Sequence, residues 1–305
     1  GGGGQRVLFS RPLPLRDRGG AARAVTVSVD TDVVEALRRL IARHCGIVVS
    51  DTKSASLRAR LSEHAGQLGL SSLEAYLGHL TAEPIGGPLW QEVFRRVTTS
   101  ETYFFRNTAQ IKAFTEHLLP DTIRRQEGRM FKRLKLWSAG CASGEEAYTL
   151  AILILEALGS ETSQWQPQIL ATDIDAGAIA QAETAHYTGR AVSRVPRTLL
   201  SRHFERDGAG YRVAPPARAL VHCRVLNFAD EAQMAAQTQM DVIFCRNVLI
   251  YFDGDFRRQV VSHLYESLKP GGYLVIGHAE SLRGIHSGFA TVRFPGTVLY
   301  QRPEA

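Results

Sequence analysis

The stretch that most constrains this chain is Leu134-Lys135-Leu136-Trp137-Ser138-Ala139-Gly140-Cys141-Ala142-Ser143-Gly144-Glu145-Glu146. A short apolar run ends in small residues. Apolar residues then recur at helical spacing, at Ala147, Leu150, Ala151, Ile154 and Leu155. Strand, tight turn and helix in that order open a doubly wound α/β domain. Small residues in the turn let a ligand approach the backbone, and the helix start offers unpaired N–H groups at the positive end of its dipole. Gly140 and Gly144 do not make a GxGxxG fingerprint. Glu145 and Glu146 would repel a pyrophosphate there but suit a ligand that carries a cation. S-adenosylmethionine, with its α-ammonium and sulfonium, fits better than NAD or ATP. Ser143 and Glu146 also match a capping box, with Ser143 as N-cap and Glu146 at N3, so Glu146 is either a cap or a ligand contact.

Beyond this opening the elements alternate. Strand 134–139 and helix 145–158 are followed by strand 168–172, which leads into Asp173 and a helix over 176–186. Strand 220–226 ends at Asn227. Strand 241–245 leads into Arg246 and Asn247, then a helix over 254–268. Lys269-Pro270-Gly271-Gly272 reads as a turn before strand 273–277. Residues 292–294 and 297–301 read as a terminal hairpin. The alternation predicts a mostly parallel sheet with helices on both faces. An antiparallel closing hairpin is unusual in NAD-binding sheets. Residues 187–219 form an insertion, read as a small β-rich excursion with a turn at Asp207–Gly210.

Upstream of the sheet, residues 26–97 have helical periodicity. Val33, Leu37, Leu40 and Ile41 share one face. Leu57, Leu61 and Leu68 mark a second helix, Leu73, Tyr76, Leu77 and Leu80 a third, and Trp90, Val93, Phe94 and Val97 a fourth. Four short helices make a small bundle. Arg38, Arg39, Arg43, Lys53, Arg58 and Arg60 cluster on its first half, either as a solvated basic face or as a docking stripe for an acidic helix. Residues 1–25 read as a flexible Gly- and Arg-rich leader, and residues 98–133 as a connection.

At 305 residues and 44% hydrophobic, the chain can bury a sizeable core. It shows no membrane-length apolar run and no signal peptide. Four cysteines without CxxC spacing suit a reduced, cytoplasmic protein and give no zinc framework. A net charge of +6 permits a nucleic acid or an acidic protein surface as partner without choosing between them.

Ligands of doubly wound sheets bind beyond the carboxyl ends of the strands. Those ends carry Gly140–Glu146, Asp173, Asn227 and Arg246–Asn247. Asp173, after the second strand, is placed for ribose hydroxyls. Asp175 is the cap of the next helix. Asn227 is either a hydrogen-bonding contact near adenine or turn chemistry. Before the sheet, Thr98-Thr99-Ser100-Glu101-Thr102-Tyr103-Phe104-Phe105-Arg106-Asn107 packs hydroxyls, aromatics and a cation into one run. Phe104 and Phe105 read as a plug between domains. Arg106 is costly to bury unpaired, so a carboxylate partner is expected from a structural acid, a cofactor or a substrate.

These motifs together resemble the chemotaxis receptor glutamate O-methyltransferases, the CheR family. Thr98–Arg106 is similar to the family's Thr-Thr-Asn-x-Thr-x-Phe-Phe-Arg motif. Trp137-Ser138-Ala139 with Ser143-Gly144-Glu145-Glu146-Ala147-Tyr148 resembles its cofactor loop. Ala171-Thr172-Asp173-Ile174-Asp175, Phe244–Phe252, and Leu268–Gly272 with Gly277-His278-Ala279-Glu280 follow in order. The resemblance covers residues 26–302 and implies a class I methyltransferase with a seven-stranded sheet. It also implies a preceding all-α domain that meets the receptor's methylation helices. It places Ser100, Thr102, Arg106, Glu145, Glu146, Asp173, Asn227, Phe228, Arg246 and Asn247 against S-adenosylmethionine, or S-adenosylhomocysteine after transfer, and Gly140, in the small-residue turn, is expected to join them. Tyr251 falls near the transferable methyl, and Arg106 and Tyr251 act by positioning. Ser100 replaces the usual Asn, Phe228 stands where Leu is common, and Ala279 where Ser is. The short turn at Asp207–Gly210 implies an enzyme independent of a receptor's C-terminal pentapeptide. A monomer is expected, with no metal, nucleic acid or membrane insertion. The alternatives are a non-catalytic S-adenosylmethionine- or S-adenosylhomocysteine-binding signalling module, a methyltransferase for another acidic protein, and a nucleic-acid methyltransferase. The last is disfavoured because Arg246-Asn247-Val248-Leu249 is not an Asn/Asp-Pro-Pro-aromatic motif.

Overall fold

The computed structural model describes residues 29–98 and 101–304. The leader read over residues 1–25 lies outside these, as does Ser100. The chain opens with helices α1 (Val29–Cys45), α2 (Asp51–Gln67), α3 (Leu73–Ala82) and α4 (Pro88–Val97). Ser72 caps α3 by accepting from the Ala75 N–H, and Pro88 at the first turn of α4 gives up no needed donor. After α5 (Thr108–Ala113) and α6 (Leu119–Arg124) come β1 (Lys132–Ala139), α7 (Glu145–Leu158), β2 (Trp165–Asp173) and α8 (Ala176–Thr184). The insertion contributes β3 (His186–Tyr187), α9 (Arg197–His203), β4 (Phe204–Asp207), β5 (Gly210–Val213) and α10 (Pro215–Arg218). The chain returns through β6 (Val221–Val225), α11 (Glu231–Ala235), β7 (Met240–Cys245) and α12 (Gly254–Ser267). It ends with β8 (Leu268–Ile276), β9 (Ala290–Phe294) and β10 (Thr297–Gln301).

Among the described residues, seven strands pair in the order β6-β2-β1-β7-β8-β10-β9, and β3-β5-β4 form a separate small sheet. Pairing from β6 through β8 is parallel, and β10 is antiparallel to both β8 and β9. Central strands are covered on both faces, which is why β7 is buried at every position and apolar without a break from Val242 to Cys245. The core beneath one face is continuous with the helical bundle: Leu37, Trp90 and Phe94 belong to the same cluster as Trp137, Ile243 and Leu274. The core on the other face joins α7 and the inserted unit to Phe104 and Phe114.

Two local expectations are corrected. The Lys269–Gly272 turn lies inside β8. Gly271 donates to the Arg302 carbonyl at 2.8 Å, and Arg302 N–H returns to Gly272 at 2.9 Å, so the segment stays in the sheet. The glycines accommodate an irregularity, with a register shift between Met240 and Val242, rather than a reversal. The capping box is not formed either. Gly144, at φ +95°, is the N-cap of α7, and the Ser143 hydroxyl turns to Glu145 at 2.8 Å.

Candidate functional site

The carboxyl ends of β1, β2 and β7 open into one cleft, whose empty space with its open mouth is about 1090 Å³. Thr102, Arg106, Gly140, Glu146, Asp173, Asn227, Phe228, Arg246, Asn247 and Tyr251 all line it. Glu145 does not: it is 3% exposed behind the loop, held by Ser143, and burial pushes its carboxyl above the usual range.

Each lining group is held by something the sequence did not announce. Gly140 sits at φ +82°, and a Cβ there would lie 2.3 Å from the Val248 side chain, so this turn accepts only glycine without rearrangement. Asp173 accepts Ala142 N–H on one oxygen at 2.9 Å and Asp175 N–H on the other at 3.1 Å. Each oxygen keeps acceptor capacity toward the cleft. Loss of surrounding water raises its pKa, partly offset by those backbone donors. Asp175 caps α8, as its position predicts, accepting from Gly177 and Ala178.

Glu146 faces the cleft as half of an ion pair. Its Oε2 lies 3.1 Å from Arg246 Nη1, and its Oε1 accepts the Ser138 hydroxyl at 2.6 Å. Arg246 Nη2 then donates to the Arg106 carbonyl at 2.8 Å. Arg106 thereby has its carbonyl anchored. Phe105 (φ +57°) and Asn107 (φ +66°) flank it in the left-handed region, an uncommon place for a phenylalanine. Phe105 N–H donates to Thr149, and Phe104 is fully buried edge-on to Tyr187 and Phe204. Phe104 is the plug, and it is driven into the inserted unit. The Arg106 side chain donates to the Glu101 carbonyl at 3.0 Å and lies near the Tyr103 ring. It makes no ion pair among the described residues, so none of their acids is the expected carboxylate partner.

Asn227 lines the cleft and also makes interface and turn bonds: Nδ2 donates to the His44 carbonyl at 2.7 Å, and Oδ1 accepts from Ala229. It ties α1 to the sheet at the edge of the cleft. Phe228 stands edge-on to Trp137 and Phe252. Val48 N–H bonds to the Tyr251 carbonyl at 2.8 Å, and Ile47 pairs with Phe252 as an isolated bridge. Through that bridge the end of α1 and the segment after it bring Cys45 and Ile47 into the cleft wall. Sequence reasoning missed both, because nothing in a helical bundle's periodicity says which loop meets the sheet. Burial pushes the Cys45 thiol up to about 12 and Cys141 well above its ordinary value, so both serve as apolar wall rather than as nucleophiles. Glu280 was also missed as an organiser. Its carboxylate accepts from Asn247, Ile250 and Gly277 N–H groups, which fixes the Asn247–Tyr251 segment.

The cleft suits S-adenosylmethionine: an acid with spare acceptors for ribose hydroxyls, an apolar wall of Ile174, Leu226 and Phe228, and a guanidinium without an ion pair among the described residues, with further donors for a carboxylate. Among the described residues, no cluster of His, Cys, Asp and Glu is arranged to hold a metal, and no helix is long and apolar enough to cross a membrane. The family model for the CheR methyltransferase SAM binding domain matches residues 100–297, and that for the CheR methyltransferase all-alpha domain matches residues 32–98. The chain belongs to the CheR methyltransferase family. Relatives within CheR include chemotaxis protein methyltransferase Cher2 of Pseudomonas putida, 33% identical over 88% of this chain and 96% of its own length. Chemotaxis protein methyltransferase 2 of Vibrio cholerae is 34% identical over 91% of this chain and 94% of its own. The CheR assignment makes S-adenosylmethionine the cofactor of the domain that carries this cleft.

Proposed function

We propose that this chain esterifies side-chain glutamates of chemoreceptors, as one step of sensory adaptation in the cytoplasm. The observation that carries the reading is Arg106, strapped into a cleft with its guanidinium free of any carboxylate among the described residues. The relatives' names, which specify chemotaxis, point to receptors rather than to another acidic protein. S-adenosylmethionine supplies an electrophilic methyl group that a carboxylate accepts, with the sulfonium becoming a thioether as the ester forms.

Residues of the chain have a limited chemical task. Glutamate ionises near pH 4.3, so no general base is needed. Charge is annihilated in the reaction, so the apolar wall favours the transition state over separated ions. A cation clamped on the reacting carboxylate would favour the ground state instead. Arg106 and Tyr251 therefore act by alignment. Thr102, Gly140, Glu146, Asp173, Asn227, Phe228, Arg246 and Asn247 form the cofactor wall, with Ser100 as a further contact and Glu145 supporting the loop from behind. The helical unit 26–97 docks the receptor through the exposed side chains of α2, Lys53 and Arg60 among them. Arg38 and Arg39 are largely committed to Glu35 and Asp51 and belong to the solvated face. The hairpin from β4 to β5 pairs Asp207 with Gly210, leaving a two-residue tip. So small a tip supports methylation without a pentapeptide tether.

The test is transfer of labelled methyl groups to receptor-enriched membranes, with receptors bearing or lacking their last five residues. Base-labile label on both is expected, and Arg106→Ala should lower turnover by about 100-fold or more. Base-stable label, or full activity in Arg106→Ala, would refute the reading.

A further inference from the structure

We propose that the inserted three-stranded unit is part of the acceptor-binding rim, and that Arg194 binds an acidic side chain flanking the target glutamate. This rests on the glutamate-methylating reading above. Tyr103 lines the cleft. The Arg194 guanidinium stacks 4.5 Å from its ring centroid, and Nη1 donates to the Tyr103 hydroxyl at 3.0 Å. Arg106 lies near the same ring at 5.7 Å. Arg194 is exposed and makes no ion pair among the described residues, whereas its neighbour Arg190 is paired with Glu101 at 2.8 Å. That pair neutralises the one acid of the Glu101–Arg106 segment. A hydrogen bond from Phe104 N–H to the Ala191 carbonyl pins the turn to the segment that carries Arg106.

The helical layer repeats the arrangement on a second tyrosine of the cleft. Lys53, also exposed and without an ion pair among the described residues, lies 6.0 Å from the Tyr251 ring centroid. Two peripheral units thus each place a cation on an aromatic wall of one cleft. Stacking and the hydroxyl bond hold the Arg194 fork in place, so little freedom is lost when a carboxylate binds it. The placement also agrees with the chemistry. Cations seated on rim tyrosines can attract flanking acids without capping the reacting carboxylate, which must lose its charge. The partner is therefore an acidic segment with further carboxylates on either side of the target.

The test uses the full chain and a purified cytoplasmic fragment of a chemoreceptor from the source organism, with flanking acids intact or changed to glutamine. Arg194→Gln should raise the acceptor KM about three- to tenfold and flatten its salt dependence, with the effect on KM exceeding that on kcat. Arg194→Lys should restore only the part of the loss that is due to charge, since it lacks the stacked fork, and Arg194→Glu should deepen the loss. The fragment lacking flanking acids should no longer distinguish Arg194→Gln from the unaltered chain. S-adenosylhomocysteine affinity, measured by calorimetry, should be the same for all of them. Unchanged KM in Arg194→Gln and Arg194→Glu overturns the proposal, as does a parallel loss of S-adenosylhomocysteine affinity. Absence of transfer by the unaltered chain to any such fragment overturns the glutamate-methylating reading itself.

Discussion

Glu146→Leu is the most informative perturbation of the cleft, because it breaks a buried ion pair that lines it. The Arg246 side chain is 6% exposed and that of Glu146 14%. Arg246 Nε already lacks a partner, so loss of Glu146 leaves the Arg106 carbonyl as the cation's remaining bond. Stranding one member of a buried pair costs about 3–5 kcal/mol, and the residual exposure of Glu146 puts this case at about 3 kcal/mol. Arg246→Met should cost a similar amount, because it strands the carboxylate with only the Ser138 hydroxyl. The double variant Glu146→Leu/Arg246→Met buries no charge and should be more stable than either single variant, by about 1–2 kcal/mol. Urea unfolding midpoints of the four proteins measure this. Calorimetry with S-adenosylhomocysteine should show at least about tenfold weaker binding for all three variants, including the double, because each removes a polar side chain from the cleft wall and the two that lack Arg246 also lose the anchor of the Arg106 carbonyl. Strictly additive stability effects, or single variants within about 1 kcal/mol of the parent, would refute the argument.

Gly140→Ala meets Val248 at 2.3 Å and a left-handed backbone at φ +82°. It should weaken S-adenosylhomocysteine by about tenfold or more, and adding Val248→Ala should recover only the steric part, as read by calorimetry. Asp173 has a raised folded pKa because burial disfavours its charge. The native state therefore binds the proton more tightly than the unfolded chain, and this group's contribution to stability falls as pH rises above its ordinary range near 3.8. The stability of ligand-free Asp173→Asn relative to the parent should accordingly improve between pH 4 and pH 7 in urea titrations. The same variant should bind S-adenosylhomocysteine more weakly at pH 7.

Local chemistry made much of this molecule legible. The period-3.6 and continuous apolar patterns gave the helices of the bundle, α7, and the parallel strands, because those periodicities are direct consequences of which face must be buried. The carboxyl-end rule led to Asp173, and it lies at the cleft because a parallel sheet sends all its strand ends to one rim. Adjacent acids at a helix start could not be ranked in the same way. One residue of helical rotation, set by Gly144 rather than Ser143 as cap, turned Glu146 into the cleft and Glu145 away from it. A proline–glycine run read as a turn stayed in β8, because pairing with Arg302, thirty residues on, supplies hydrogen bonds that no local signal encodes.

The sequence by itself therefore determined the order of elements, the sheet's class and the acid that waits at its rim. Tertiary structure alone decided that Arg246 serves Glu146 and the Arg106 backbone, that Asn227 clasps α1, and that Cys45 and Ile47 wall the cleft. Local patterns report burial, which each segment expresses for itself. Partner choice among polar groups depends on where chains distant in sequence are brought together, and that is settled only when the two cores close on either side of the sheet.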